Sequence, residues 1–190
     1  MFTMYNYRLL AIALKREAQE RAKALAAKKG EAYKGKPYDP ERDNGLLGNA
    51  LELAVKDFYH RPLRLSPAGK CDVRIGTRNC EIKQGAGELG SPDGKLCHGS
   101  GLVLYVPVLI EDQPLLRQEG YVLERDVFIE ALASVPGLIR YKSDRNRVTI
   151  QTFWNRTTWE PHGRKLDLMI QALEAAGAEP LEEFLQRTRP

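Results

Sequence analysis

The fifteen residues from Lys70 to Gln84 constrain this chain more than any other segment. Gly76 and Thr77 separate two runs of alternating character, and glycine at the first central position suits a two-residue hairpin turn of type II′. The predicted strands are Cys71–Ile75 and Asn79–Gln84. Such a turn sets the register: Ile75 opposite Arg78, Arg74 opposite Asn79, Val73 opposite Cys80 and Asp72 opposite Glu81. Opposed residues share a face and side chains alternate along each strand. Asp72, Arg74, Glu81 and Lys83 are therefore expected on one face, and Val73, Ile75, Cys80 and Ile82 on the other with Cys71 beside them.

The rest of the chain supplies the frame for this hairpin. At 190 residues, with 43% hydrophobic and 28% charged residues, it can bury the core of one compact domain and is unlike a disordered or fibrous chain. The strongest apolar stretch, Gly101 to Ile110, is half a membrane span, so no membrane partner is expected. No secretory signal is read near the N-terminus. Three cysteines do not make a disulfide framework, and a cytoplasmic location is expected.

The pattern predicts a long helix over Tyr7–Lys29, stopped by Gly30, with a weak apolar stripe of Leu10, Leu14, Ala18 and Leu25. A breaker-rich connection runs to Asp43, and a second helix follows over Asn44–Tyr59, with Leu47, Leu51, Ala54 and Phe58 on one face. Leu63–Ser66 is a weak strand and Leu102–Ile110 a strong one, in which Pro107 implies a bulge or a sheet edge. A helix over Glu124–Ser134, a strand over Arg147–Trp154 and helices over Lys165–Ala176 and Leu181–Arg187 complete an α/β chain around one mixed sheet. The expected organisation is a basic helix and linker (1–43), an α/β core (44–160) and C-terminal helices packed on that core (161–190).

Charge is uneven. Residues 1–36 hold nine Lys or Arg against three Glu, and Arg140, Lys142, Arg145 and Arg147 form a second basic cluster. Basic surface of this kind suits a polyanion, although for any single run a solvated helix face is the preferred reading.

The chemistry concentrates on the charged face of the hairpin. Two opposed carboxylates, Asp72 and Glu81, repel unless protonated or compensated by a cation. A hard divalent ion between them would use their oxygens as ligands, and Lys83 could compensate without one. Glu52, on the edge of the buried stripe of the second helix, could be carried towards the same place. Gln84 adjoins Gly85 and Gly87, which permit close backbone approach.

Together, Glu52 on a helix, Asp72 opening a strand and Glu81-Ile82-Lys83 on the next strand resemble the PD-(D/E)XK nuclease superfamily, over roughly residues 44–154. That resemblance implies a restriction-endonuclease-like mixed β-sheet flanked by helices. It implies Mg²⁺- or Mn²⁺-dependent hydrolysis of phosphodiester bonds, with double-stranded DNA as partner and an endonuclease favoured. In that reading Asp72 and Glu81 hold the ion, with Glu52 as a direct or water-mediated ligand. Lys83 orients the attacking water or stabilises phosphate charge, and Gln84 is a secondary contact. Arg74, Arg140, Lys142, Arg145 and Arg147 would contact the nucleic acid, although Arg74 could equally pair with Asp72. A homodimer would allow both strands to be cut. The alternatives are a non-catalytic nucleic-acid-binding module that keeps the fold, or a protein-interaction subunit using the long N-terminal helix.

Other groupings carry less. Cys71, Cys80, Cys97 and His98 match no usual zinc spacing, and Cys71 and Cys80 are expected as buried thiols. Trp154 and Trp159 suit packing better than base stacking.

Overall fold

The computed structural model of the chain describes residues 2–67, 71–85, 87–88, 101–142, 147–150 and 163–189. The helices are α1 (Met4–Lys28), α2 (Leu46–Phe58), α3 (Arg125–Ala133), α4 (Gly163–Ala175) and α5 (Leu181–Arg187). The strands are β1 (Val73–Ile75), β2 (Arg78–Gln84), β3 (Gly87–Glu88), β4 (Leu102–Val106), β5 (Tyr121–Glu124), β6 (Ile139–Lys142), β7 (Arg147–Ile150) and β8 (Glu179–Pro180). A five-stranded mixed sheet runs β1-β2-β4-β5-β8, and a three-stranded sheet runs β3-β7-β6.

The hairpin has the expected register, Val73 opposite Cys80, Arg74 opposite Asn79 and Ile75 opposite Arg78. Gly76 has φ +58°, and Thr77 is not among the residues of positive φ, as a type II′ turn requires. β2 then pairs in parallel with β4, Glu81 beside Val103 and Lys83 beside Tyr105.

Alternation along these strands divides the core into two layers. On one face Val73, Ile75, Cys80, Ile82, Leu102, Leu104 and Val106 pack with α1, α2 and α5. On the other, Val103, Tyr105, Tyr121 and Leu123 meet Phe128 and Leu132 of α3 and Met169 and Leu173 of α4. β4 lies between β2 and β5 and is buried at every position, which explains its unbroken apolar run.

α2 packs on β1 and β2 and also beneath α1, so Leu46 and Ala50 to Lys56 are all buried. Only the start of α1 joins this core, through Met4, Tyr7 and Ala11. Its first amides donate to the carbonyls of Gln113 and Glu111, at 2.9 and 2.7 Å, and Arg8 forks onto the Glu111 carboxylate. From Glu17 to Lys28 nearly every residue is exposed, so this half is an arm carrying Arg21, Lys23 and Lys28.

Several expectations are corrected. There are two sheets, not one: β7 pairs with β6 and β3, apart from the five-stranded sheet. The break comes at Gly85, whose φ of +59° turns the chain out of β2 before β3 begins. Pro107 marks neither bulge nor edge, since β4 stops at Val106 and is an interior strand. Leu63–Ser66 is not a strand; its backbone groups are taken by side chains of α2. β3, β5, β6 and β8 form where the sequence pattern predicts no strand, β3 within the stretch from Gly85 to Ser100 that reads as a loop. The strand expected over Arg147–Trp154 is described only to Ile150, and Arg145, Trp154, Trp159, Cys97 and His98 lie outside the described residues. No helix among the described residues is long and apolar enough to cross a membrane.

Candidate active site at the open edge of the hairpin

β1 is three residues long and forms the edge of the large sheet. Just before it, the backbone leaves the ladder, and the Ile82 amide is met by a side chain: Asp72 Oδ2 accepts from Ile82 N at 2.7 Å. This holds the Asp72 carboxylate in the gap beside β2. Burial lifts its pKa to about 6, against the Ile82 hydrogen bond, which lowers it; the Glu52 charge raises it, Lys83 lowers it and Glu81 raises it. Asp72 therefore feels all three of the other groups singled out from the sequence.

Glu81 is 8% exposed and is ion-paired with Lys83 at 2.6 Å. The register with Val103 and Tyr105 puts both on the α3 and α4 face of the sheet. Beyond their end of the sheet the chain turns at Gly85, whose carbonyl accepts from the buried Tyr105 hydroxyl at 2.9 Å. Gln84 closes β2 opposite Val106 and is half-buried.

Glu52 comes from the other layer. It is 6% exposed on α2 and its Oε1 receives two donors, Lys56 Nζ from the next turn and Ser66 N at 2.7 Å. Lys56, equally buried, also donates to the Arg64 carbonyl at 2.7 Å and to Ser66 Oγ at 2.8 Å. Ser66 Oγ in turn donates to the Asp72 carbonyl at 3.0 Å. A chain of hydrogen bonds thus runs from α2 through the 59–67 loop to the start of β1. Oε2 of Glu52 takes no hydrogen bond from the described residues.

The expected arrangement of three carboxylates around one ion is corrected to this extent. Among the described residues no three His, Cys, Asp or Glu side chains are grouped closely enough to hold a metal together. The reason lies in the layers: Glu52 and Glu81 approach from opposite faces, and Asp72 at the edge is the group that senses both. Asp72 and Glu81 each offer hard carboxylate oxygens, and Glu81 raises the Asp72 pKa through its charge. Carboxylate oxygens are the donor type that Mg²⁺ takes, one or two of them commonly sufficing together with waters and a substrate phosphate.

Arg74 is exposed and donates to the Thr77 carbonyl at 3.5 Å rather than to Asp72. Arg140, Lys142 and Arg147 belong to the β6–β7 pair, with Lys142 opposite Arg147, and their side chains lie outside the described residues. Cys80 is a buried thiol with its pKa pushed up by burial, and Cys71 is half-buried. Sequence reasoning missed Lys56 and Ser66. An acid followed four residues later by a base on one helix was the available signal for Lys56.

Compared with protein-family models, with curated proteins and with solved structures, the chain gives no significant match in any of the three.

Proposed function

We propose that this chain is a metal-dependent nuclease that hydrolyses phosphodiester bonds in DNA, with a restriction-endonuclease-like core of the PD-(D/E)XK kind. One observation carries the reading: Asp72 lies in the mutual field of Glu52, Glu81 and Lys83, with its carboxyl lifted by burial to about 6. Carboxylates gathered in partial burial cost stability, and such perturbed groups cluster at functional sites.

In this mechanism Asp72 and Glu81 would hold Mg²⁺ or Mn²⁺. The ion, when bound, supplies charge neutralisation at a phosphoryl oxygen and acidity to a water. Lys83, now paired with Glu81, exchanges that partner for the phosphate and faces the negative charge that grows on it during attack. Glu52 keeps Oε1 on Lys56 and Ser66, which would leave Oε2 for a water-mediated contribution. Gln84, one residue beyond Lys83, is a secondary contact.

A second reading, a nucleic-acid-binding module that cleaves nothing, is favoured by the closed Glu81–Lys83 pair. Incubating supercoiled plasmid with the protein and Mg²⁺ or Mn²⁺ separates the two. The nuclease reading predicts nicked or linear product, absent with chelator and lost in Lys83→Ala at unchanged melting temperature. No metal-dependent product, or equal product from Lys83→Ala, defeats it.

A further inference from the structure

Beside Asp72 opens a cleft of about 520 Å³ between the 59–67 loop and the edge strand β1, and its charge is lopsided. The charged residues of its lining are Lys56, Arg61, Arg64, Asp72 and Arg74. Lys56 is neutralised by Glu52. The three arginines are exposed and form no ion pair with any described residue. Three arginines thus line one cleft together with a single carboxylate residue, Asp72.

The loop that presents Arg61 and Arg64 is held in place. α2 ends with His60 at φ +52°, and the Arg61 amide donates back to the Lys56 carbonyl at 2.8 Å, so the chain leaves the helix in a fixed direction. Pro62 and Pro67 restrict the backbone on either side. Buried Lys56 holds the Arg64 carbonyl and Ser66 Oγ, while Glu52 holds the Ser66 amide. The guanidinium groups therefore sit on a preorganised support, not on a free tail.

We propose that this cleft binds the phosphodiester backbone of a nucleic-acid strand through Arg61, Arg64 and Arg74, with the Glu52–Lys56–Ser66 network as the loop's anchor. A guanidinium offers a planar fork of donors that matches two phosphate oxygens. Successive phosphates along a strand would satisfy several such forks in one groove. This inference rests on the nuclease reading for its choice of anion: Asp72, a proposed metal ligand, is among the residues that line the cleft, so a strand lying in it would pass beside that group. Arg61 and Arg64 thereby gain a role that their surface position in a loop does not announce.

The test is binding of a fluorescent duplex oligonucleotide, followed by anisotropy in chelator across a range of potassium chloride concentrations. Each phosphate contact contributes about 0.9 to the slope of log affinity against log salt. The triple variant Arg61→Ala, Arg64→Ala, Arg74→Ala should therefore flatten the slope by about 2.7, and each single variant by about 0.9. Arg117→Ala, at a separate surface cavity, should leave the slope unchanged. An unaltered slope in the triple variant overturns the proposal, as does an equal change from Arg117→Ala. Competition by poly-glutamate as effective as that by DNA of equal charge also overturns it. Arginine-dependent binding without metal-dependent cleavage upholds the cleft and defeats the nuclease reading. Cleavage with an arginine-independent slope does the reverse.

Discussion

Replacing Asp72 by Asn tests the electrostatics of the hairpin edge without dismantling it. The Asn side-chain oxygen can still accept from the Ile82 amide, so the backbone anchor at 2.7 Å survives while the charge is removed. In the wild type the carboxyl has a pKa of about 6 folded, against 3.8 in the unfolded chain, with burial as the chief cause. Between those values the folded state binds more protons than the unfolded state, so raising pH through this window lowers stability. A gap of about two pH units is worth about 3 kcal/mol in full, at about 1.4 kcal/mol per unit. Between roughly pH 4 and pH 7.5, about 2 to 2.5 kcal/mol of that falls within reach of experiment. The stability of Asp72→Asn relative to wild type should therefore rise by that amount across the interval, in metal-free buffer. For a chain of this size, each kcal/mol moves the melting temperature by about 2–4 °C, giving a relative gain of roughly 4–10 °C. Denaturant titrations of both proteins at the two pH values measure it. A difference between the proteins that stays flat with pH, within about 0.5 kcal/mol, would refute the claim that Asp72 is held unfavourably charged at neutral pH.

Three further outcomes follow from the same structure. Lys56→Met leaves the Glu52 charge buried without its cation and should cost about 3–5 kcal/mol in denaturant titration. The double variant Glu52→Met, Lys56→Met should recover most of that loss, and equal destabilisation in both would contradict a coupled pair. Leu104→Ala, at the fully buried centre of β4, should lose about 2–5 kcal/mol by the same assay, and a loss below 1 kcal/mol would show that β4 is not the core strand. Mn²⁺ at about a hundred times its dissociation constant should stabilise the wild type by about 2.7 kcal/mol in thermal melts and leave Asp72→Asn and Glu81→Gln nearly unmoved. Equal stabilisation of all three would place the ion elsewhere.

The parts of the fold legible in the sequence are those governed by local rules. Gly76 and Thr77 dictate a turn geometry, the turn dictates register, and register puts Cys80 and Ile82 in the core and Glu81 and Lys83 on the other face. All five helices could be read from helix-forming runs with local stop signals, α2 despite Gly48 because its apolar residues recur on one face. What escaped depends on partners distant in sequence. Tyr121–Glu124 is a four-residue strand running directly into α3, so its apolar residues merge with the helical pattern. Glu179–Pro180 is a strand only because Gly120 to Val122 lie beside it. The 63–66 segment has strand-like residues, yet Lys56 and Glu52 capture its backbone groups before any strand can.

The site divides in the same way. Residues Asp72, Glu81 and Lys83 follow from hairpin alternation, and Glu52 from its place on the buried helix. That Glu52 and Glu81 come from opposite faces of the sheet follows from the packing of α2, which no local pattern in the sequence contains. The anchoring role of Lys56 is likewise tertiary, because two of its acceptors lie in a loop that begins only after the helix has ended.

The most direct test of the shared-ion claim is anomalous diffraction from crystals soaked in Mn²⁺. The account predicts a peak within ligand distance of both the Asp72 and Glu81 carboxylates, with Lys83 turned away from Glu81. Mn²⁺ bound only at other surfaces, with the Glu81–Lys83 pair still closed, would contradict it.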